Sequence, residues 1–298
     1  MLAIHCQDLT KYYGSTVALR EANLEVRPGE VFGFLGPNGA GKTTFIRCLL
    51  GMIRPNKGEL RVFGHCARHE SVTVRSLTGY LPGELRLDES LTARQALNFF
   101  RRMRSQRVSH NRIESLSERL RLKLDEPIQN LSKGNKQKVG IVQALMHEPP
   151  LLVLDEPTSG LDPLMQQEAL NLIREAKERG TSVFLSSHQL SETQHASDRV
   201  AMIRDGLVVE SGVTKDLLQR RVKRVRIRLE KPVQEDYFND EEGLRLCSQQ
   251  NGTEFLLEVD GNISALLCKL TNLSVTAFEM EPDTLDDVFF KHYQECHK

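Results

Sequence analysis

The stretch that decides the fold reads Gly36-Pro37-Asn38-Gly39-Ala40-Gly41-Lys42-Thr43 and is followed by Thr44. It stands between an apolar run typical of a buried strand, residues 31–35, and a helix-like run, residues 45–50. Glycines in such a turn let backbone N–H groups point at phosphate oxygens, and the helix N-terminus adds partial positive charge. In this pattern Lys42 reaches the β- and γ-phosphates and the Thr43 hydroxyl binds magnesium. The stretch predicts a site for a nucleoside triphosphate.

A second chemical signal follows the apolar run at residues 151–154, where Asp155 and Glu156 stand side by side. The carboxyl ends of parallel strands are where open α/β sheets bind ligands. We expect Asp155 to hold the magnesium ion and Glu156 to orient or deprotonate the attacking water. His188 follows another apolar run, residues 182–186, and is expected at the same edge, near the γ-phosphate.

The order of apolar runs predicts the architecture. Continuous apolar runs separated by helix-like stretches indicate a largely parallel sheet covered on both faces. From about Leu91 to His147 the chain is rich in Leu, Arg and Glu at helical spacing, which predicts a helical insert between the first and second strands of the sheet. Asp205-Gly206 between two apolar runs predicts a hairpin.

A change of character near residue 221 predicts a second domain. Basic and apolar residues alternate from Lys223 to Arg228, further strand-like runs follow, and a final helix is expected around Thr284 to Tyr293. The basic residues either meet an anionic partner or form the solvent face of a half-buried strand, and the second interpretation is favoured. The expected domains are 1–220, with a helical part at about 88–148, and 221–298.

Composition excludes several classes of function. Lys plus Arg and Asp plus Glu both number 40, so no general attraction to nucleic acid or anionic lipid is expected. No signal peptide and no apolar run long enough to span a bilayer is visible, so a role at a membrane would need another chain. The six cysteines form no Cys-x-x-Cys pair and are expected to be reduced cytosolic thiols that mostly fill the core.

These motifs resemble, in residues, order and spacing, the ATP-binding subunit of ABC transporters. Tyr13 resembles the aromatic residue that stacks on adenine, residues 131–138 resemble the family signature, and residues 154–162 resemble its Walker B strand and its D-loop, which ends at Asp162. The resemblance covers the first three quarters of the chain. It implies a P-loop ATPase fold with a mainly parallel central sheet, an antiparallel β portion and a helical signature subdomain, followed here by a small C-terminal α+β domain.

The resemblance also implies a mechanism that uses ATP and Mg²⁺. Two such domains dock head to tail, and Ser132 and Gly134 of one contact the ATP held by the other. ATP closes this dimer, hydrolysis by Glu156 reopens it, and His188 matches the family's switch histidine. The residues that bind ATP in their own chain are then Tyr13, Gly36, Pro37, Asn38, Gly39, Ala40, Gly41, Lys42, Thr43 and Thr44.

The implied partners are a second copy of the subunit, in a homodimer, and an integral membrane transporter subunit. The subunit is then cytoplasmic and peripheral on the inner face of the cell membrane. The C-terminal tail resembles those of exporter-type subunits whose membrane domains are separate chains, which favours export. No nucleic acid partner is expected.

Two segments depart from the family pattern. In the usual Leu-Ser-Gly-Gly-Gln signature, Lys133 replaces the first Gly and Asn135 replaces the Gln, while Gly134 is kept. Lys133 either strengthens closure on ATP or is a solvated side chain. Gly83 stands where the family has a Gln that touches magnesium and the attacking water, and the neighbouring Glu84 is the candidate substitute.

Two other classes of function fit the sequence less well. One is a soluble ABC ATPase that acts on ribosomes or DNA. The ribosome-acting type usually has two ATPase domains in one chain, and the DNA-repair type has a long coiled coil whose heptads do not appear here. The other is a non-hydrolysing interaction module, against which Asp155 and Glu156 both argue.

Overall fold

The computed structural model describes residues 1–104, 108–189, 193–194, 196–219, 223–238, 243–259 and 263–280 of the 298-residue chain. The chain divides into two compact units between Thr214 and Lys215. The helix expected around Thr284 to Tyr293 lies outside the described residues.

A six-stranded sheet forms the centre of the first unit, in the order β10-β9-β3-β8-β7-β6. All neighbouring pairs are parallel except β9 and β10. The predicted parallel sheet is therefore confirmed, and the hairpin at Asp205-Gly206 joins its two antiparallel strands. Its strands are β3 (Val31–Leu35), β6 (Thr78–Leu81), β7 (Leu151–Asp155), β8 (Ser182–Ser187), β9 (Arg199–Arg204) and β10 (Leu207–Val213).

Burial explains why three of these strands were visible in the sequence. Every residue of β3, β7 and β8 is buried, so each strand is a nearly continuous apolar run. The carboxyl ends of these adjacent strands lie side by side at one edge of the sheet. That edge is where the phosphate loop, Asp155 and the segment before His188 emerge.

A second sheet is antiparallel and has the order β2-β1-β4-β5. It contains β1 (Ile4–Tyr13), β2 (Thr16–Val26), β4 (Lys57–Val62) and β5 (His65–Cys66). Helix α1 (Lys42–Leu49) follows the phosphate loop, and its Phe45 packs against the central sheet. The Phe45 ring lies 5.0 Å from that of Phe34 on β3 and 5.5 Å from that of Phe184 on β8. These contacts fix the helix and the loop before it to the sheet.

A helical insert joins β6 to β7. It contains α3 (Ala93–Arg102), α4 (His110–Arg119), the 3₁₀ turn Ile128–Asn130 and α5 (Lys133–Leu145), while α2 (Ser71–Ser76) precedes β6. Placing the insert between the first and second strands of the sheet was wrong, because β6 of the same sheet lies between β3 and the insert. The reason is that β6 has only four residues and begins with Thr-Gly, so it is not a continuous apolar run.

An ion-pair cluster ties the insert to the rest of the first unit. Arg119, at the end of α4, donates to Glu168 at 2.6 Å and to both carboxylate oxygens of Glu175 at 2.6 and 2.7 Å. Both glutamates lie on α6 (Pro163–Glu178), which follows β7. A bidentate arginine–carboxylate pair is directional, so it fixes orientation as well as contact.

The second unit is a four-stranded antiparallel sheet in the order β12-β13-β11-β14, and the helix Ser264–Leu270 packs on its buried face. The apolar residues of β11 belong to the core: Val225, Ile227 and Leu229. The residues between them, Arg226 and Arg228, are exposed. Arg228 forms an ion pair with Glu254 at 2.7 Å. This is the half-buried strand favoured from the sequence. The elements are α7 (Thr214–Gln219), β11 (Lys223–Leu229), the 3₁₀ turn Glu235–Phe238, β12 (Leu244–Gln250), β13 (Glu254–Val259), α8 (Ser264–Leu270) and β14 (Val275–Met280).

The expectations from composition have mixed outcomes. Within the described residues, no helix is long and apolar enough to cross a membrane. Among the cysteines in that part of the chain, Cys6 and Cys48 are buried, whereas Cys66 is half-buried and Cys247 and Cys268 are exposed. The expectation that cysteines mostly fill the core was therefore wrong, since of the five cysteines that the structure describes only those on β1 and α1 do so.

Candidate functional site

The phosphate loop connects β3 to α1 at the carboxyl edge of the central sheet. Gly41, the N-cap residue of α1, has a φ angle of 110°, which residues with a side chain rarely adopt. A β-carbon there would also lie 2.5 Å from the Ala18 carbonyl oxygen. Because Gly41 has no side chain to cap the helix, the first N–H groups of α1 are available to an anion.

Lys42 is buried within the loop that it follows. Its Nζ donates to the carbonyl oxygens of Gly36 at 2.6 Å and Pro37 at 3.2 Å, and lies 3.7 Å from Glu156 Oε1. Burial lowers the pKa of this ammonium, while the charges of Glu156 and Asp155 act in the opposite direction. The arrangement holds a cation at the centre of the loop, beside the two carboxylates that end β7.

Asp155 receives two hydroxyl hydrogen bonds. Thr43 Oγ1 donates to its Oδ2 at 3.0 Å, and Ser186 Oγ donates to its Oδ1 at 2.7 Å. A hydroxyl and a carboxylate are hard oxygen ligands of the kind that Mg²⁺ prefers, so this pair fits the expected ion. The sequence analysis gave Ser186 no role, although a serine pair ending an apolar strand is a detectable signal.

Glu156 and His188 meet beside Lys42. His188 Nδ1 lies 2.7 Å from Glu156 Oε2, although 32 residues separate them in the chain. The Glu156 side chain is 18% exposed, so water can reach it. A partly buried carboxylate next to an imidazole and an ammonium is an arrangement that can orient a water molecule and its proton.

A cavity of about 620 Å³ brings most of these residues together. Its lining includes six residues of the predicted set beyond Lys42: Pro37, Asn38, Gly39, Gly41, Thr43 and Thr44. Asp155 and Glu156 line it as well, as do Gly83 and Glu84. Gly36 and Ala40 lie in the loop behind this lining. The structure thus gathers the phosphate loop and the acids in one place.

The remaining predicted residues lie away from that lining. Tyr13 ends β1, the residue is 46% exposed, and Lys11 Nζ lies 5.2 Å from the centroid of its ring. Asp162 accepts a hydrogen bond from Met165 N at 3.0 Å and caps α6. Ser132 caps α5 by accepting from Asn135 N at 3.3 Å, and both Ser132 and Lys133 are exposed.

The two candidate residues for the missing Gln differ in position. Gly83 lies against Asp155, since a β-carbon there would be 3.2 Å from Asp155 Oδ2. Glu84 has an 80% exposed side chain whose Oε1 lies 3.3 Å from the Arg86 guanidinium. Their part in catalysis stays a prediction.

One further polar contact was missed in the sequence analysis. Gln137 of α5 donates from Nε2 to the carbonyl oxygen of Glu156 at 2.9 Å and to that of Pro157 at 3.2 Å. Gln137 belongs to the quoted signature stretch, but spacing alone does not show that its side chain reaches a loop 19 residues away.

Residues 19–159 match the ABC transporter family. The bacitracin transport ATP-binding protein BcrA of Bacillus licheniformis is 33% identical over 302 residues, covering 97% of this chain and 96% of that protein. The daunorubicin/doxorubicin resistance ATP-binding protein DrrA of Streptomyces peucetius is 33% identical over 303 residues, covering 96% and 91% of the two chains.

Solved structures agree with these relatives. An ATP-binding subunit of an ABC transporter, 31% identical, superposes with a TM-score of 0.67 over 74% of this chain and 92% of its own. A dimeric bacterial ABC transporter cassette, 22% identical, shares the fold with a TM-score of 0.65 over 71% of this chain and 98% of its own. The P-loop ATPase fold expected from the sequence is confirmed, and the chain belongs to the ATP-hydrolysing, ATP-binding subunits of ABC transporters.

Proposed function

We propose that this chain hydrolyses ATP between two copies of itself and thereby drives export through separate membrane-spanning subunits. The observation that carries the proposal is the contact of Glu156 with His188 at 2.7 Å, next to Lys42. The same site contains the Thr43 hydroxyl and the Asp155 carboxylate, oxygen ligands of the kind that Mg²⁺ prefers. Residues 1–220 carry the ATPase activity, and residues 221–298 support or regulate the dimer.

Each residue near the phosphates has a distinct role. The Lys42 ammonium and the backbone N–H groups of residues 36–44, apart from Pro37, which has none, bind the phosphates, and Tyr13 stacks on adenine. Thr43 and Asp155 would hold Mg²⁺, which neutralises negative charge on the phosphates when it is bound. Glu156 orients and deprotonates the attacking water, and His188 holds the Glu156 carboxylate and contacts the γ-phosphate.

The signature residues complete the site of the second copy. Ser132 and Gly134 lie at the N-terminus of the 13-residue helix α5, whose first turn contains Lys133 and Lys136 and no acidic residue. Such an end favours an anion, and Ser132 is exposed and outside the lining of its own chain's cavity. A head-to-tail homodimer places it against the partner's ATP, with Asp162 at the interface.

A groove beside the site is our candidate surface for the membrane partner. It encloses about 580 Å³, and its lining includes the apolar Val72 and Met103, which are 74% and 69% exposed, together with Arg75 and Arg104. None of the described lining residues is acidic. Burial lowers the pKa of Arg104, so a carboxylate would relieve an unfavourable charge there. The groove therefore suits a cytoplasmic segment of the membrane subunit that carries apolar residues and an acid.

Export is supported by the relatives, whose names refer to bacitracin transport and to daunorubicin/doxorubicin resistance. Docking to a membrane subunit makes the chain peripheral on the inner face of the cell membrane. The balanced charge and the paired Arg228 on the exposed face of the C-terminal sheet give no reason to expect a nucleic acid partner.

The Glu156→Gln variant tests the catalytic assignment. We expect it to bind ATP, to lose hydrolysis, and to accumulate as an ATP-bound dimer visible by size-exclusion chromatography, because the amide cannot accept the proton of the attacking water. Glu178→Gln, on the exposed end of α6, is the matched control. Hydrolysis at the normal rate in Glu156→Gln would exclude this role.

A second experiment tests the partner. Val72→Glu places a carboxylate on the exposed apolar rim of the groove and is expected to abolish co-purification of the integral membrane subunit. Leu267→Glu, an exposed apolar position on α8, is the control. Equal recovery of the membrane subunit with both variants, or recovery of the native protein with no membrane subunit, contradicts the proposal.

A further inference from the structure

The Gln137 side chain is buried, and its amide nitrogen makes both of its hydrogen bonds to one loop. The residue is 5% exposed, and its amide nitrogen donates to the carbonyl oxygens of Glu156 and Pro157. A primary amide has two N–H donors, so the two contacts use both of them. Such bonds are costly to lose in a buried or partly buried setting, because the Pro157 carbonyl loses this donor and the Glu156 carbonyl keeps only the longer bond from Ser159 N, at 3.2 Å.

The loop that Gln137 holds has an unusual backbone. Glu156 has φ of 53°, in the left-handed region that costs a non-glycine residue free energy and persists only where surrounding contacts enforce it. Three hydrogen bonds to the backbone do so here: Glu156 N donates to the Ser186 carbonyl oxygen at 2.9 Å, and Glu156 O accepts from Ser159 N at 3.2 Å and from Gln137 Nε2 at 2.9 Å. The direction of the Glu156 carboxylate therefore depends on these contacts, and the one from Gln137 is the one that links it to α5.

The same helix face touches the far end of this loop. Gly134 lies three residues before Gln137 on α5, and residues at that spacing share a face. A β-carbon at Gly134 would lie 2.4 Å from the Gly160 carbonyl oxygen, so the helix backbone packs directly on the loop. Helix α5 thus contacts the loop at residue 156 and at residue 160, while its exposed cap, Ser132, lies outside the lining of its own phosphate cavity.

We propose that Gln137 is a positioning residue that couples the two ATP sites of the dimer. It ties the backbone of Glu156, which acts on the ATP of its own chain, to the helix whose N-terminus meets the ATP of the partner. A displacement of α5 on contact with the partner's ATP is transmitted through these two hydrogen bonds to the Glu156 carboxylate. The inference rests on the proposed roles of Glu156 and Ser132.

The Gln137→Met variant removes both donors and keeps the length of the side chain. We expect kcat of ATP hydrolysis to fall about tenfold, the effect of one to two buried hydrogen bonds on a transition state, with KM for ATP changed less than about twofold. The Hill coefficient for ATP should fall toward one, because the sites no longer sense each other. Gln167→Met, on the exposed face of α6, is the control.

The Gln137→Glu variant gives a second readout. A carboxyl group between two carbonyl oxygens can donate only when it is protonated, and those oxygens raise its pKa. The ratio of the kcat of Gln137→Glu to that of wild type should therefore rise as the pH falls from about 8 to about 6. A residue that only fills space would give a constant ratio across this range. This comparison also applies if Gln137→Met folds poorly.

The outcomes separate this inference from the proposed function. An unchanged kcat and Hill coefficient in Gln137→Met, or a flat pH ratio in Gln137→Glu, overturns the coupling role. If those results occur while Glu156→Gln is inactive, Glu156 remains the catalytic residue and only the coupling fails. If Glu156→Gln hydrolyses ATP normally, the proposed function itself fails.

Discussion

Glu156 Oε1 lies 3.7 Å from Lys42 Nζ, while its other carboxylate oxygen, Oε2, lies 2.7 Å from His188 Nδ1. One carboxylate therefore bridges the phosphate loop and the segment that follows β8. A water molecule activated by Glu156 would be held between a phosphate-binding cation and an imidazole. This geometry makes the orientation of a single side chain central to turnover.

Replacing His188 with alanine should lower kcat by about 10- to 100-fold, since the Glu156 carboxylate loses the group that orients it. KM for ATP should change less than about twofold, because the phosphate loop keeps its contacts. Steady-state hydrolysis over a range of ATP concentrations measures both values. His69→Ala, an exposed histidine outside the cavity, is the control. An unchanged kcat in His188→Ala would contradict the assignment.

Replacing Ser186 with alanine should weaken magnesium binding, because Asp155 Oδ1 loses the hydroxyl that orients it at 2.7 Å. Groups that orient a metal ligand contribute about tenfold or more to metal affinity, so the Mg²⁺ concentration for half-maximal hydrolysis should rise by about that factor. Binding of Mn²⁺ in the presence of ATP, followed by electron paramagnetic resonance, gives a readout independent of turnover. Ser186→Thr keeps the hydroxyl and should restore the affinity. Identical metal titrations in the alanine variant and wild type would rule this out.

Replacing Glu84 with alanine tests the substitute for the missing Gln. If its carboxylate leaves Arg86 and faces the metal during turnover, kcat should fall about tenfold and the Mg²⁺ requirement should rise. Arg86→Gln removes the 3.3 Å contact without removing the carboxylate and should retain activity. Unaltered turnover in Glu84→Ala excludes a direct role.

The buried His147 should make the first unit sensitive to acid. Burial, assisted by the charge of Arg104, lowers the pKa of this imidazole to about 4, whereas an unfolded chain has a value of about 6.5. Between these values the unfolded state binds more protons, so stability falls as the pH drops. From pH 7 to pH 5 the loss from this group is about 2 kcal/mol.

Denaturant unfolding at pH 7 and pH 5 measures that loss. The His147→Gln variant keeps a polar side chain of similar size but has no group that titrates in this range. Its free energy of unfolding should change less between the two pH values than that of wild type. Equal changes in both proteins would show that other groups cause the acid sensitivity.

The edge of the central sheet where the strands end could be predicted as the site because those strands are buried on both faces. Such strands are continuous apolar runs, and the polar residues that end them stand out, as Asp155, Glu156 and His188 do. The strands β1 and β2 of the antiparallel sheet were not located, because they mix exposed and buried residues and their pairing contains register shifts. The contacts of Ser186 and Gln137 join residues 31 and 19 positions apart, and only the folded chain brings them together.

The helical insert occupies a crossover between β6 and β7, at the margin of the central sheet. Two parallel strands need a connection from one sheet edge to the other, but they set no upper limit on its length or content. The strands that carry the phosphate loop and the catalytic acids do not need α3 and α4 of the insert, whereas α5 holds Glu156 through Gln137. Substitutions in α3 and α4 can therefore change the choice of membrane partner while α5 and the central strands keep the hydrolytic chemistry constant, so one type of ATPase can serve many different transporters.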